Sequence, residues 1–322
     1  VIITTSNSVL HMMKNLLAIL LHLFTFIPEG KIMKRYIKYL LAVLLLTVFC
    51  SREPAQQSGS LRVATWNLEH FPHSGDTTFN KVLDIIREYQ FDILAIQELS
   101  SVSSFYRLLD SLPDYQGDYT SDGYLRTAFI YKTGDGNLIV EDVNRLEISI
   151  EPRAPLIARF STSGGEDFTV INIHLKADDS GTDDEERREE AIGSLKSYMD
   201  SLRHHSNQSN FIVLGDWNDL IDDPFDENVY SPLLLDSLNY LFLTETLARG
   251  CPVSPFNCTC VGDADSLEWK FYDHILISKG LFDNYIDNSV EVLCLDVYDS
   301  TYVEYVSNHR PVVAEFELDY NR

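Results

Sequence analysis

Phe211-Ile212-Val213-Leu214-Gly215-Asp216-Trp217-Asn218 is the stretch whose pattern decides the architecture. Four consecutive large apolar residues suit a buried strand. The apolar run stops at Gly215, and the next three residues supply a carboxylate, an indole and an amide. Loops at strand ends are where a rigid scaffold presents groups to a ligand. The same pattern recurs along the chain. Leu61–Trp66 is strand-like and runs into Asn67; Asp92–Gln97, with its Ile-Leu-Ala-Ile core, runs into Glu98. Val170-Ile171-Asn172-Ile173 ends at His174, and Asp273 lies within Phe271-Tyr272-Asp273-His274-Ile275. Arg153 stands just before an apolar run at Pro155–Phe160, and Asn308-His309-Arg310-Pro311 precedes another at Pro311–Glu317.

Between these runs the periodicity becomes helical. Phe79–Tyr89 spaces Val82, Leu83, Ile85 and Ile86 on one side, and Val102–Leu112 does so with Phe105, Leu108 and Leu109. Asp183–His204 predicts the clearest helix. Its first turn holds Asp183, Asp184, Glu185 and Glu186, which favour the positive end of a helix dipole. Ala191, Ile192, Leu195, Tyr198, Met199 and Leu202 form its apolar stripe. Further strands are expected near Ala128–Tyr131, Leu138–Ile150, Phe168–His174, Lys270–Ile277 and Val290–Leu295. No short-period repeat and no Pro- or Gly-rich linker divides residues 61–322, so they read as one domain of intermixed strands and helices.

The chain has 322 residues, 45% hydrophobic and 11% aromatic, enough to bury a real core. Its net charge is −24, and residues 1–49 hold five of the 25 basic residues but one of the 49 acidic ones. The remainder is therefore more acidic still. Such a charge repels polyanions at long range and counts against a protein that merely coats nucleic acid. An enzyme that meets one phosphate through a bound cation is compatible with it, because the metal reverses the local field.

The N-terminal region reads as an export signal or anchor over residues 1–50, followed by a flexible tether over 51–60. Two apolar stretches, Leu16–Ile27 and Tyr39–Phe49, each follow basic residues; neither reaches the roughly 20 apolar residues of a membrane span. Met33-Lys34-Arg35-Tyr36-Ile37-Lys38 reads as the start and charged region of a signal. Cys50 closes the second stretch in a manner that resembles a lipoprotein signal, although Phe49 departs from the small residue favoured before the cysteine. An extracytoplasmic protein, secreted or held to the envelope through its N-terminus, is the expectation. In that setting Cys251, Cys258, Cys260 and Cys294 suggest one or two disulfides. Cys251-x6-Cys258-x-Cys260 lacks zinc spacing and has no paired histidine nearby, so a loop disulfide is the better reading.

The polar residues at the strand ends make coherent chemistry. A hard cation such as Mg²⁺ takes one or two carboxylates plus an amide oxygen, which Glu98 and Asn67 supply. A phosphodiester under attack needs a base for water and donors for its oxygens. His309 can be that base, oriented by Asp273, while Arg153, His174 and Asn218 hold the phosphate.

Seven segments carry a resemblance: Ala64-Thr65-Trp66-Asn67-Leu68, Ile96-Gln97-Glu98, Arg153-Ala154-Pro155, Ile173-His174, Gly215-Asp216-Trp217-Asn218, Tyr272-Asp273-His274-Ile275-Leu276 and Asn308-His309-Arg310-Pro311. In their order and spacing the chain resembles the endonuclease/exonuclease/phosphatase superfamily, with a pattern similar to deoxyribonuclease-I-like enzymes. The resemblance implies a four-layer α/β/β/α sandwich of two mixed sheets flanked by helices, with the site at one edge. It implies metal binding by Glu98 with Asn67 beside it, and a His309–Asp273 pair. It also implies phosphate contact by Arg153 and Asn218, an acidic role for Asp216 near the attacking water, and a two-histidine site through His174. The family usually reads Ser-Asp-His before the last strand; here Ser307-Asn308-His309 keeps an oxygen ligand in Asn308 but loses a charge. His174 has no evident carboxylate partner, the region Asp122–Thr127 offering only Asp122.

The expected function is therefore a monomeric Mg²⁺- or Mn²⁺-dependent nuclease cleaving DNA or RNA by metal-assisted water attack, with Ca²⁺ as a candidate structural ion. A second reading keeps the chemistry and changes the substrate to a lipid or a sugar phosphate, sphingomyelinase-like or inositol-phosphatase-like. A third is an inactive phosphate-binding surface lipoprotein, which rests on Asn308 alone.

Overall fold

The structure is a computed structural model. It describes residues 60–121, 123–148, 150, 152–178, 183–206, 208–224, 227–251, 253–261 and 269–318. The expectations for the signal region, Met33, Cys50, the tether and Asp122 lie outside these residues.

One six-stranded sheet has the order β11-β12-β1-β2-β4-β3, formed by β1 (Ser60–Phe71), β2 (Ile93–Leu99), β3 (Tyr115–Tyr119), β4 (Arg126–Lys132), β11 (Glu291–Val292) and β12 (Val312–Glu317). The other has the order β5-β6-β7-β8-β10-β9, formed by β5 (Leu138–Arg145), β6 (Leu156–Thr162), β7 (Asp167–His174), β8 (Phe211–Asp216), β9 (Tyr240–Phe242) and β10 (Asp273–Ser278). Both sheets are mixed. Each has one parallel pair near its centre, β1 with β2 and β7 with β8, among antiparallel neighbours.

The two-residue period of a strand sends alternate side chains to opposite faces. In β2, Ile93 and Ala95 join the core between the sheets, while Leu94 and Ile96 join the core beneath α1 (Asp76–Tyr89) and α2 (Val102–Asp110). In β8, Ile212 and Leu214 face the first sheet, whereas Phe211 and Val213 pack under α3 (Asp184–His205) with Ala191, Ile192, Leu195 and Met199. Strands apolar on both faces are thus covered on both faces. The result is a sandwich of two mixed sheets flanked by helices.

Most expected elements lie where the hydrophobic pattern put them. The strand expected over Leu138–Ile150 ends at Arg145, and that over Val290–Leu295 shortens to Glu291–Val292 because the chain enters a tight turn at Leu295–Val297. Strand β3, Tyr-Gln-Gly-Asp-Tyr, carries no apolar run, and β9, Tyr-Leu-Phe, is only three residues long; neither was foreseen. The loop disulfide joins Cys251 to Cys258, Cys260 is outside it, and the Cys294 thiol donates to the Phe256 carbonyl at 3.2 Å.

Candidate active site

The strand ends of the two sheets meet at one edge, and the residues singled out in the sequence meet with them. β7 ends in His174 and β8 in Asp216, which are opposite each other in the parallel register. β10 begins at Asp273, opposite Asp216 on its other side. The approach of β7 to β8 requires a glycine. Gly215 has φ +149°, and a Cβ there would lie 1.9 Å from the Ile173 carbonyl oxygen.

From the first sheet come Asn67 and Glu98, both at irregularities. The β1–β2 register shifts between Asn67 and Phe71, and Glu98 adopts φ 62°, uncommon for a non-glycine residue. The Asn67 Nδ2 donates to Asp216 Oδ2 at 2.8 Å and to Glu98 Oε1 at 3.3 Å, so one amide ties carboxylates from both sheets. Its Oδ1 accepts from the Glu69 N–H at 2.9 Å. One lone pair of the oxygen expected to face a cation is therefore engaged by the backbone, and the second is left for an ion.

His309 Nδ1 lies 2.8 Å from Asp273 Oδ2, which fixes the tautomer with Nδ1–H donating and leaves Nε2 facing Asp216 Oδ2 at 4.0 Å. Burial works against protonating His309, but the carboxylates of Asp273 and Asp216 and the neighbouring Cys260 outweigh it. Its pKa is held well above the ordinary histidine value. Asp216 is buried, and desolvation raises its pKa to about 7; Asp273 adds to the rise, while His309, Asn67 and the Asn218 N–H oppose it. His174 is the opposite case. Burial, with Arg153, His309 and His70 nearby, pushes its pKa well below the usual value, so it is a neutral imidazole. Its Nε2 lies 3.8 Å from Glu98 Oε1 and 3.7 Å from Asp216 Oδ2.

Arg153 joins from the loop before β6, its Nη1 donating to the Leu175 carbonyl at 3.2 Å. Burial lowers its pKa, against which Glu98 and Asp216 pull upward. Asn218 takes a left-handed φ of 51°; its N–H caps Asp216 Oδ1 at 3.0 Å and its Nδ2 holds the Leu175 carbonyl at 3.0 Å. Arg153 and Asn218 thus share one carbonyl beside His174. The Asn308 N–H donates to Glu69 Oε2 at 2.8 Å.

Three buried polar atoms here lack a partner among the described residues: Asp273 Oδ1, His174 Nδ1 and Asn308 Oδ1. Such orphans are rare and mark places where an ion, water or substrate belongs. Asp216, Asp273 and His309 also bring one ligand atom each within 4.8 Å of one another. A donor set rich in carboxylate and amide oxygen fits a hard divalent cation.

Four neighbours were not foreseen. Glu69 and His70 follow Asn67 through two positive φ angles, 42° and 60°, which turn the His70 N–H onto Glu98 Oε2 at 3.1 Å. Cys260 pairs its backbone with both Lys270 and His309. Beside it, the Thr259 hydroxyl accepts from the Tyr272 and Asp273 N–H groups.

A two-sheet sandwich with clustered carboxylates and a histidine–aspartate pair at one edge defines a recognisable class. The profile described as Endonuclease/Exonuclease/phosphatase family matches residues 64–293, and the chain belongs to that family. It is 27% identical over 196 residues to a protein named Deoxyribonuclease from Thioalkalivibrio sp. (strain K90mix), a match covering 55% of this chain and 50% of that relative. The matched region thus spans about half of the curated relative's length. Among solved structures, the chain is similar to D. rerio TDP2 complexed with single strand DNA product (TM-score 0.59, 15% identity, 80% of this chain and 99% of that one). It is also similar to mannosyl-6-phosphatase Bt3783 of Bacteroides thetaiotaomicron VPI-5482 (TM-score 0.54, 17% identity, 80% and 100%). At these identities the likeness is one of fold.

Proposed function

We propose that this protein is a divalent-metal-dependent phosphodiesterase, and specifically a nuclease that hydrolyses DNA or RNA. The observation that carries the reading is the convergence of Glu98, His174, Asp216 and the His309–Asp273 pair on one edge of the sandwich. When bound, a Mg²⁺ or Mn²⁺ ion would supply charge neutralisation for the phosphoryl oxygens. Glu98, Asn67 and Asn308 would hold it, the Asn67 amide also tying Glu98 to Asp216. In its unprotonated form His309 takes the proton of the attacking water at Nε2, and Asp273 holds the imidazole in the tautomer that leaves this nitrogen free to accept; a cation held at Glu98 would offset the carboxylates that raise the His309 pKa and so favour that form. Asp216 accepts a hydrogen bond from the same water and stabilises the imidazolium that results. His174, Arg153 and Asn218 present N–H groups to the phosphoryl oxygens as charge builds there. The water oxygen forms the new P–O bond, and the departing alkoxide leaves from the opposite side of phosphorus.

The resemblance to a curated deoxyribonuclease supports a nucleic-acid substrate. The acidity of the chain favours a smaller one, and a sugar phosphate or lipid phosphodiester is the second reading. The signal-like residues before Cys50 support an extracytoplasmic location with an N-terminal lipid or anchor.

The test incubates the purified protein with plasmid DNA, RNA, sphingomyelin, a sugar phosphate and bis-p-nitrophenyl phosphate, in Mg²⁺, Mn²⁺ or EDTA. Metal-dependent nicking of the plasmid, abolished in EDTA and in His309→Ala and Glu98→Ala, is the expected result. Hydrolysis of the lipid or sugar phosphate alone would replace the nuclease reading with the second. Wild-type rates in either variant would overturn the mechanism.

A further inference from the structure

The β2 strand breaks its ladder where it delivers Glu98. Between the pairs Ile96↔Ala128 and Leu99↔Arg126, Gln97 and Glu98 stand opposite Thr127 alone. That is a β-bulge, which bends a strand and leaves ladder groups without strand partners. The β1–β2 ladder shifts at the same level, so Glu98 is paired on neither side. Its φ of 62° adds backbone strain at the same residue. A bulge of this kind loosens the join between its two strands unless another group ties them together beside it.

Asn172 does so from the other sheet. It is fully buried, in a strand whose neighbours Ile171 and Ile173 are apolar. Its Nδ2 donates to the Ile96 carbonyl at 3.0 Å and to the Ala128 carbonyl at 2.8 Å, the two residues of the last regular pair before the bulge. Its Oδ1 accepts from Gln97 Nε2 at 2.8 Å, and Gln97 bonds onward to the Thr65 hydroxyl on β1 at 3.1 Å. Both amide hydrogens and the oxygen of one side chain are therefore engaged with β2 and β4. Two residues further along β7 stands His174, whose Nε2 faces Glu98 Oε1 at 3.8 Å.

We propose that Asn172 is a positioning residue: it stabilises the β2 bulge from across the sandwich and so sets where Glu98 stands relative to His174 and Asp216. Its consequence for divalent-cation binding rests on the reading of Glu98 as a metal ligand. Neither leucine nor aspartate can replace it. Leucine has the size without the donors, and aspartate would set a carboxylate against two carbonyl oxygens.

The full-length protein is tested as Asn172→Leu, with Phe168→Leu at the far end of β7 as a control for general loss of packing. Hydrogen exchange is followed without metal, Mn²⁺ binding by electron paramagnetic resonance without substrate, and kcat and KM wherever hydrolysis occurs. In Asn172→Leu, exchange at residues 96–99 should quicken while α3 stays protected. The Mn²⁺ dissociation constant should rise roughly 10–100-fold, as for other outer partners of metal ligands. Phe168→Leu should keep wild-type Mn²⁺ affinity. Wild-type exchange at the bulge in Asn172→Leu overturns the proposal, and so does equal loosening of Mn²⁺ binding in Phe168→Leu. If Asn172→Leu does not fold, Asn172→Ser, which keeps one donor, should show a smaller shift of the same sign, and no shift overturns the proposal. A wild-type protein that binds Mn²⁺ yet cleaves nothing would refute the phosphodiesterase reading, and the exchange result would stand independently.

Discussion

Asn308 is where this chain departs from its family's usual acid, and the surrounding geometry shows what the change entails. Its backbone N–H is held by Glu69, while its Oδ1 is buried and unpaired among the described residues. Asn308→Asp would place a second carboxylate beside Glu69. Without metal the two acids repel, so the melting temperature should fall. With Mg²⁺ the added charge should lower the half-maximal activating concentration by roughly 3–10-fold, since ligand charge count tunes affinity at such sites. An unchanged metal titration would remove Asn308 from the site. At this scale the sequence was informative about residue types, because Asn67, Glu98, His174, Asp216, Asp273 and His309 each end or begin an apolar run. It did not reveal Glu69 and His70, whose placement depends on positive φ angles that the residue names do not announce. Nor did it show that the Asn67 oxygen would also accept from a backbone N–H.

Among the elements, the β7–β8 pair is the least tolerant. Gly215→Ala would drive a Cβ into the Ile173 carbonyl at a φ that side chains avoid. A loss of roughly 3 kcal/mol in chemical denaturation is expected, together with loss of activity through Asp216. Strand β10 makes a separate prediction. His274 is enclosed by Trp217, Tyr230, Phe242 and Phe271, and this burial lowers its pKa to about 3. Below the ordinary histidine value the unfolded chain binds a proton that the folded chain excludes. Stability contributed here is thus present near neutrality and is lost as pH falls from about 6.5 toward 3. His274→Phe should flatten the pH dependence of the melting temperature in that window; an unaltered slope would refute the assignment. Helices and long strands were legible because apolar periodicity is strong in them. Strands β3 and β9 were not, because their pairing is decided by neighbours distant in sequence.

For the whole molecule, charge is the dominant property. A net −24 opposes the approach of a polyanion, and salt screens that repulsion over roughly 10 Å at 0.1 M. Plasmid cleavage at fixed Mg²⁺ should therefore accelerate by a few-fold from low salt to about 0.1 M, the reverse of a basic nuclease. Hydrolysis of bis-p-nitrophenyl phosphate should barely change; an equal salt response for both substrates would show that long-range repulsion is not limiting. The pairing of β1 with β12 has a consequence of another kind. Residues 60–65 take their antiparallel partners from residues 312–317, and Trp66 Nε1 donates to the His309 carbonyl across the same span. A chain emerging from the ribosome therefore carries its first sheet unfinished until nearly all of this region has been made. The edge that gathers Asp216, Asp273 and His309 is therefore completed in a single late step of synthesis.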